Sequence, residues 1–318
     1  MMILGISAGY HDAAVTVINR HGEIEFAGHS ERYSKLKNDS NLSDGLISEL
    51  CGLEFDTIAY YERPWRHNLQ QIYSGQRPTT AWTTRGAIRQ QLGPWYSRPA
   101  GRELAYPHHL SHAASGFQTS PFDRATVVVI DAVGEFDTVT IWGAEYNRAG
   151  TATYKRLWSQ RYPHSIGLFY SAVTARLGLR PLDEEYIVMG MAAYGNAMCS
   201  QRMRSELIAS VDNIRFRQNL HAGLDADAFN GASDADIAAG AQQIAEELIY
   251  SVMQRARSFG YSSNLVYQGG VALNCLANRT LGEYFENIWI MPCPGDAGSS
   301  LGAAALAHGG PIAWRSEE

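Results

Sequence analysis

The chain predicts an α/β fold in which one strand-rich plan is used twice. Three features point that way. Apolar, β-branched runs separated by turns open the N-terminal third at residues 3–7, 13–18 and 23–27. A second set of such runs follows at residues 126–131, 138–143 and 152–158. The last quarter then alternates helix and strand, the pattern of a sheet covered by helices. The repetition is one of topology, with Asp12 and Asp131 each near an early strand or turn. Subdomains of residues 1–124 and 125–318 follow from it.

Each element has a local reason. Arg20-His21-Gly22 supplies the turn between the second and third runs. A helix is expected near residues 43–51, a strand at 57–61 and a helix at 108–119. The longest helix is the clearest. Ser233 is its N-cap with Asp236 three residues on, Ile237, Ile244, Leu248 and Val252 recur at helical spacing, and Gly260 is the stop. A strand at 265–268, a helix at 272–283, a strand at 287–291 and a helix at 297–307 complete the alternation. Residues 196–231 are polar and irregular.

Composition sets the bounds. A length of 318 residues fits two domains or one duplicated fold, with a net charge of −6. No stretch nears the roughly 18 apolar residues of a membrane span, and the N-terminus lacks a basic leader. Four cysteines without CxxC spacing argue against a disulfide scaffold or zinc ribbon. A reduced cytoplasm is the expected setting, without membrane association.

Three separated strings carry chemistry. HHLSH at residues 108–112 sets His108 and His112 four apart, on one face of a helix, where one metal ion can meet both. Alone, the pair fits a partly buried helix end better than a metal site. Asp296, on the glycine turn of PGDAG at 294–298, adds a carboxylate and completes a His-His-Asp set. Iron, zinc and manganese all accept such donors. His109 points about 100° away on an ideal helix and is expected to support the set or contact phosphate. QGGVALN at 268–274 ends a strand in Gly269 and Gly270, where backbone approaches a flat ligand closely. Asn274 fits a nucleotide contact or a helix cap. His11-Asp12 fits catalysis or simple turn chemistry.

Together with ILGISAGYHDAA (3–14), ERYSKLK (31–37), DAVGE (131–135), SIGLFY (165–170), EYIVMGMAAYG (185–195) and PCPGDA (292–297), these strings resemble the O-carbamoyltransferases. That family includes enzymes of tobramycin, cephamycin and nodulation-factor biosynthesis. The resemblance implies the duplicated ATPase fold of actin, hexokinase and Hsp70, close to the tRNA threonylcarbamoyl transferase. It implies that His108, His112 and Asp296 hold a divalent metal, often iron, that grips the phosphate of a carbamoyl-adenylate. Gly269, Gly270 and Asn274 would form the adenosine pocket. His11 and Lys37 would lie near the carbamoyl and phosphate groups, with His11 as a base for the acceptor hydroxyl. Asp12 would belong to the nucleotide-binding set, and Asp131 and Gly134 would form the fold's second glycine-turn loop. Two departures stand out. Ile187 replaces a usual lysine, and the chain ends at Glu318 without the second domain that makes carbamoyl-adenylate from ATP and carbamoyl phosphate. Either a separate protein supplies the adenylate, or carbamoyl phosphate is used directly.

The resemblance implies a hydroxylated acceptor. Residues 63–102 carry seven arginines and no Asp, Glu or Lys, with Trp65, Tyr73, Trp82, Trp95 and Tyr96 interleaved. That composition suits nucleic acid. It equally suits an arginine-rich helical hairpin packed on acidic neighbours or on a partner in a homodimer. Stand-alone transferases of this type resemble those of DNA-modifying viruses, which implies 5-hydroxymethylcytosine in DNA. A small hydroxylated metabolite or sugar, a threonylcarbamoyl-type tRNA reaction, and an inactive nucleotide-binding regulatory domain are the alternatives.

Overall fold

The computed structural model describes residues 2–96 and 101–313. Its first sheet holds β1 (Met2–Ser7), β2 (Ala14–Asn19), β3 (Ile24–His29), β4 (Thr57–Tyr60) and β5 (Arg102–Ala105), in the order β3-β2-β1-β4-β5. β1, β2 and β3 pair antiparallel, and β4 and β5 run parallel to β1. The second sheet repeats the plan. β6 (Arg124–Gly134), β7 (Asp137–Tyr146) and β8 (Ala152–Arg161) form an antiparallel meander. Beyond a short hairpin of β9 (Ile208–Ser210) and β10 (Arg215–Phe216), β11 (Asn264–Gln268) and β12 (Asn287–Trp289) add parallel to β6. Three antiparallel strands followed by two parallel ones, twice, are the duplication that the strand spacing predicts.

Helices cover these sheets. α1 (Ser30–Ser34), α2 (Asp44–Ser48), α3 (Pro64–Tyr73) and α4 (Thr84–Leu92) belong to the first half, and α5 (His108–Thr119) links it to the second. α6 (Ile166–Arg176), α7 (Glu185–Met191), α8 (Cys199–Leu207) and α9 (Asp234–Ser258) follow, then α10 (Cys275–Asn278) and α11 (Ser299–His308). In α9, Ile237, Ile244, Leu248 and Val252 are all buried against β6 and β11 side chains such as Val128 and Tyr267. Each such side chain contributes about 1.5–3 kcal/mol of burial. The Ser233 hydroxyl accepts from the Asp236 amide and fixes where α9 begins. α11 packs on β1 and β2 of the first sheet and on α5.

Two expectations are corrected. The helix expected at 272–283 is broken into two 3-10 turns around the one-turn α10. Asn274 leaves helical geometry at ψ 86°, and its side chain caps the Ala277 amide, ending one turn and starting the next. Residues 196–231, expected to be irregular, contain α8 and the β9–β10 hairpin. Their few apolar residues, including Met203, Leu207, Phe216 and Phe229, are the ones that pack into the core.

α5 and α11 touch at backbone distance. A Cβ on Gly302 would sit 1.8 Å from the Ser111 carbonyl oxygen. Gly302→Val must therefore push the two helices apart, and overpacking of this kind costs about 1–3 kcal/mol. Thermal unfolding should show a lowered midpoint for Gly302→Val. An unchanged midpoint would mean that the helices separate freely.

Candidate active site

α5 begins directly after Pro107, so His108 occupies its first turn and His112 the next, on the same face. Both rings are buried, with centroids 4.9 Å apart. Their Nε2 atoms lie 3.0 Å from each other. Asp296, at the start of the turn that leads into α11, brings Oδ1 to 3.1 Å from His112 Nε2 and 3.3 Å from His108 Nε2. Asp131, on β6, brings Oδ2 to 3.2 Å from His108 Nε2. These four ligand atoms all lie within 4.8 Å of one another.

The surroundings orient that set. His112 Nδ1 is 3.1 Å from the Ser299 hydroxyl, and His108 Nδ1 is 3.4 Å from Glu62 Oε2. With the outer nitrogens occupied, both Nε2 lone pairs face the carboxylates, the usual arrangement around a histidine-bound metal. Two imidazole nitrogens and two carboxylates fit a divalent cation of the iron, zinc or manganese type. Asp131 thus joins the metal-competent group, beyond the glycine-turn role implied for it.

Without a cation, His108 serves as a positive partner. Burial opposes charge on His108, but Asp296, Asp131 and Glu62 outweigh it and hold its pKa well above the usual value. Burial likewise opposes charge on Asp296, yet His108 and His11 keep it well below the carboxylate range. Glu62 is held at about 2 despite burial, by His67 and His108. His109 lies behind the histidine pair. Its Nδ1 bonds the Thr140 hydroxyl at 3.0 Å, on β7, and burial together with charged His108 keeps its pKa well below the usual value. The ring is neutral and buried, 5.8 Å from the His108 ring and 6.3 Å from the His112 ring.

A cavity of about 520 Å³ opens over the cluster, lined by His11, Asp12, Lys37, Asp131, Gly270 and Asp296 among others. Gly269, at φ 93°, crosses β6 so closely that a Cβ would meet the Ile130 carbonyl oxygen at 2.2 Å. The Gly270 amide donates to Asp131 Oδ1 at 3.3 Å, joining the glycine turn to the metal-competent group. Gly134 lets β6 pass over the histidines, since a Cβ there would fall 2.4 Å from the His108 ring. Asn274 lines the cavity, but its amide is engaged with Gln242 and the α10 cap.

His11 lies between two carboxylates, with Nδ1 2.9 Å from Asp12 Oδ2 and Nε2 3.6 Å from Asp296 Oδ2. Burial opposes its charge, but Asp296 and Asp12 raise its pKa to about 9. Asp12, at φ 53°, also faces His29 at 3.3 Å. Lys37 is half exposed at the cavity mouth, paired with Glu31 at 3.2 Å. Ile187 lies on α7, whose Tyr186 and Met189 line the same cavity.

Two residues absent from the motifs belong here, Glu62 and His67. The available signal was a carboxylate between the end of β4 and the Pro64 helix start, because sites assemble at strand carboxyl ends. The arginine-rich stretch folds as α3 and α4. Arg63 grips Glu135 at 2.6–3.0 Å, Arg66 meets the same carboxylate at 3.1 Å, and Arg85 pairs with Glu103 at 2.8 Å. Arg77, Arg89 and Arg102 are exposed, and Arg98 lies outside the described residues.

Solved structures place the architecture. Full-length HypF, in its phosphate- and nucleotide-bound form, superposes with a TM-score of 0.56 at 16% identity, over 96% of this chain and 55% of HypF. Component A of the (R)-2-hydroxyglutaryl-CoA dehydratase of Acidaminococcus fermentans superposes at 0.52 and 15% identity, over 97% and 98%. The fold is that of the duplicated actin, hexokinase and Hsp70 ATPases. Residues 97–305 match the family model described as carbamoyltransferase N-terminus, and the chain belongs to that family. An uncharacterized protein of Synechocystis sp. is 33% identical over 350 aligned positions, 95% of this chain and 56% of the relative. Nodulation protein NolNO of Sinorhizobium fredii is 27% identical over 347, covering 96% and 50%. The chain spans about half the length of the curated relatives it matches. Among the described residues no helix is long and apolar enough to cross a membrane.

Glu62 provides two tests. Glu62→Gln removes the carboxylate behind His108 and should weaken divalent-metal binding about 10–100-fold by calorimetry, the usual effect of losing such a partner. In metal-free protein the sign with pH also follows. Glu62 titrates near 2 when folded against an ordinary 4.5, so its charge stabilises the fold in full above 4.5 and progressively less toward 2. Urea unfolding should show a larger gap between wild type and Glu62→Gln at pH 6 than at pH 3. Equal gaps would mean that Glu62 is not held ionised by its histidines.

Proposed function

We propose that this chain is an O-carbamoyltransferase, moving a carbamoyl group from carbamoyl-adenylate or carbamoyl phosphate to an acceptor hydroxyl. One observation carries the reading. In a member of the carbamoyltransferase family, two carboxylates that line a cavity bordered by a strand-end glycine turn converge with two buried histidines behind them. HypF, which shares the fold, is solved in a nucleotide-bound form, and that supports a nucleotide as one ligand of this chain.

His108, His112, Asp131 and Asp296 would hold a divalent metal, iron first. Such a metal supplies Lewis-acid neutralisation of charge on a phosphate leaving group. The chain's own residues do the rest. Gly269 and Gly270 bring backbone against the nucleotide. Protonated His11 places positive charge beside the cluster, and Lys37 adds a second cation at the mouth, where an anionic donor would enter. The acceptor hydroxyl attacks the carbamoyl carbon, and the phosphate oxygen leaves with the bonding electrons. Where the donor is the adenylate, a separate activity would make it from ATP and carbamoyl phosphate.

The acceptor is 5-hydroxymethylcytosine in DNA or a small hydroxylated metabolite or sugar. Incubation with carbamoyl phosphate, ATP, ferrous iron and a panel holding hydroxymethylcytosine DNA and simple sugars should give a carbamoyl mass increment on one class. Absence of any increment with either donor would refute the reading. Gly270→Val should weaken ATP or AMP binding at least tenfold by titration, because its Cβ alone would lie 3.2 Å from Asp131 Oδ1.

DNA as acceptor has its own test. Arg77 and Arg89 are exposed with positive charge free for phosphate, whereas Arg63, Arg66 and Arg85 are already paired. Fluorescence anisotropy should show oligonucleotide affinity falling with salt, and Arg77→Ala with Arg89→Ala should flatten that dependence by about one to two units of slope. No binding at low salt would leave the small-molecule acceptor.

A further inference from the structure

A second cavity of about 330 Å³ adjoins the first, and His11, Asp131 and Ala132 border both. Its remaining wall comes from α3 and the loop after it (His67, Gln70, Gln76), from α6, and from Leu220 and His221. The size is at the small end of the roughly 300–1,000 Å³ typical of small-molecule sites. Among the described residues no Lys, Arg or Glu lines it, and Asp131 is its only carboxylate. The charged groups that border it, His11 and Asp131, are already paired with Asp12, Asp296 and His108, so a charged ligand would find no free counter-charge, which is expensive. A neutral ligand with hydroxyl groups would meet amides, imidazoles and the Tyr10 ring.

His67 is the unusual member of this wall. It is 6% exposed, and its Nδ1 is 3.1 Å from Glu62 Oε2, the same oxygen that lies 3.4 Å from His108 Nδ1. Its Nε2 is buried and has no hydrogen-bond partner. A buried ring nitrogen without a partner is a standing penalty unless a ligand or water supplies one. In its neutral form, an imidazole fixed by a carboxylate on one nitrogen, with the other left free, is the arrangement of a general base. Although burial opposes charge on His67, Glu62 raises its pKa and so its strength as a proton acceptor. His11 is placed differently, since carboxylates face both of its nitrogens.

We propose that the smaller cavity binds the acceptor, a neutral ring compound bearing a hydroxyl, and that His67, oriented by Glu62, takes the proton from that hydroxyl. The proposal rests on the carbamoyl-transfer reading. The hydroxyl oxygen forms a bond to the carbamoyl carbon, its proton passes to His67 Nε2, and the bond from that carbon to the donor phosphate oxygen breaks with the electron pair on phosphate. The two cavities then separate the tasks, with donor on one side of His11 and Asp131 and acceptor on the other. A sugar and a hydroxymethylpyrimidine nucleoside share the required chemistry.

Two measurements on the full chain test it. In protein labelled at histidine with ¹³C and ¹⁵N, the His67 ring signal is assigned by its loss in His67→Gln. Methyl β-glucoside or 5-hydroxymethyl-2′-deoxycytidine should move that signal, AMP should not displace the bound probe, and Gln76→Trp should abolish the shift. Glucose 6-phosphate should not move it. Failure of both neutral probes at tens of millimolar, displacement by AMP, or an equal shift with the phosphate would overturn the acceptor site. In the transfer assay, His67→Gln should lower kcat roughly 100-fold or more with acceptor KM within about twofold, since glutamine keeps the hydrogen bonds but takes no proton. Near-normal kcat would overturn the base. A shifted His67 signal in wild-type protein that transfers no carbamoyl group would instead sink the transferase reading, and the base with it, while the cavity assignment would stand.

Discussion

The structure depends on four ionisable side chains meeting at one buried point. An isolated carboxylate is expensive to bury, and so is an isolated imidazolium. His108, His112, Asp131 and Asp296 remove that expense for one another, or would do so for a cation. Their elements come from across the chain: α5 between the two sheets, β6 in the second, and the turn into α11, which packs on the first. The cluster therefore forms only when both halves are folded and docked. Glu62, at the end of β4, extends the same network into the first sheet. One electrostatic requirement thus ties the duplicated halves together, in addition to their apolar cores.

Close backbone approach is the other side of this constraint. The cluster needs α5, α11, β6 and β11 within reach of one another, and the glycines lie where side chains would prevent it. Gly302 lets α11 meet α5, Gly134 lets β6 pass over the His108 ring, and Gly269 lets β11 turn against Ile130. Residues that look like loop punctuation in the sequence thus set the distances between donor atoms.

What was legible in the sequence follows from what is local. Strands with β-branched runs and the α9 repeat of Ile237, Ile244, Leu248 and Val252 announce themselves through periodicity, and His108 with His112 through helical spacing. The helix at 272–283 did not, because Asn274 is compatible with a helix interior by pattern yet caps a new turn by hydrogen bonding to Ala277. The packed residues of 196–231 were hidden by being few, although Phe216 and Phe229 are buried. Glu62 gave only a weak local signal, a carboxylate at the carboxyl end of β4, and His67 gave none. Their meaning lies in a carboxylate oxygen shared with His108, 46 residues along from Glu62, and no local pattern encodes that contact.

The arginine-rich segment shows how composition misleads when partners are distant. Seven arginines in a stretch that holds no acid look like a surface waiting for phosphate. Yet Arg63 and Arg66 converge on Glu135, a buried residue at φ 55° in the turn between β6 and β7. That contact crosses from the start of α3 to the second sheet, and Arg63 directly follows Glu62. The arginine that anchors α3 therefore also helps to fix the carboxylate that orients His67 and His108. Positive charge at this end of the segment is spent on architecture, since a buried carboxylate with two guanidinium partners satisfies its charge within the protein. Among the described residues of the segment, Arg77, Arg89 and Arg102 keep their charge for solvent or a ligand. Anchoring and recognition, which composition merges into one basic stretch, are separated by which guanidinium finds an acid of its own chain.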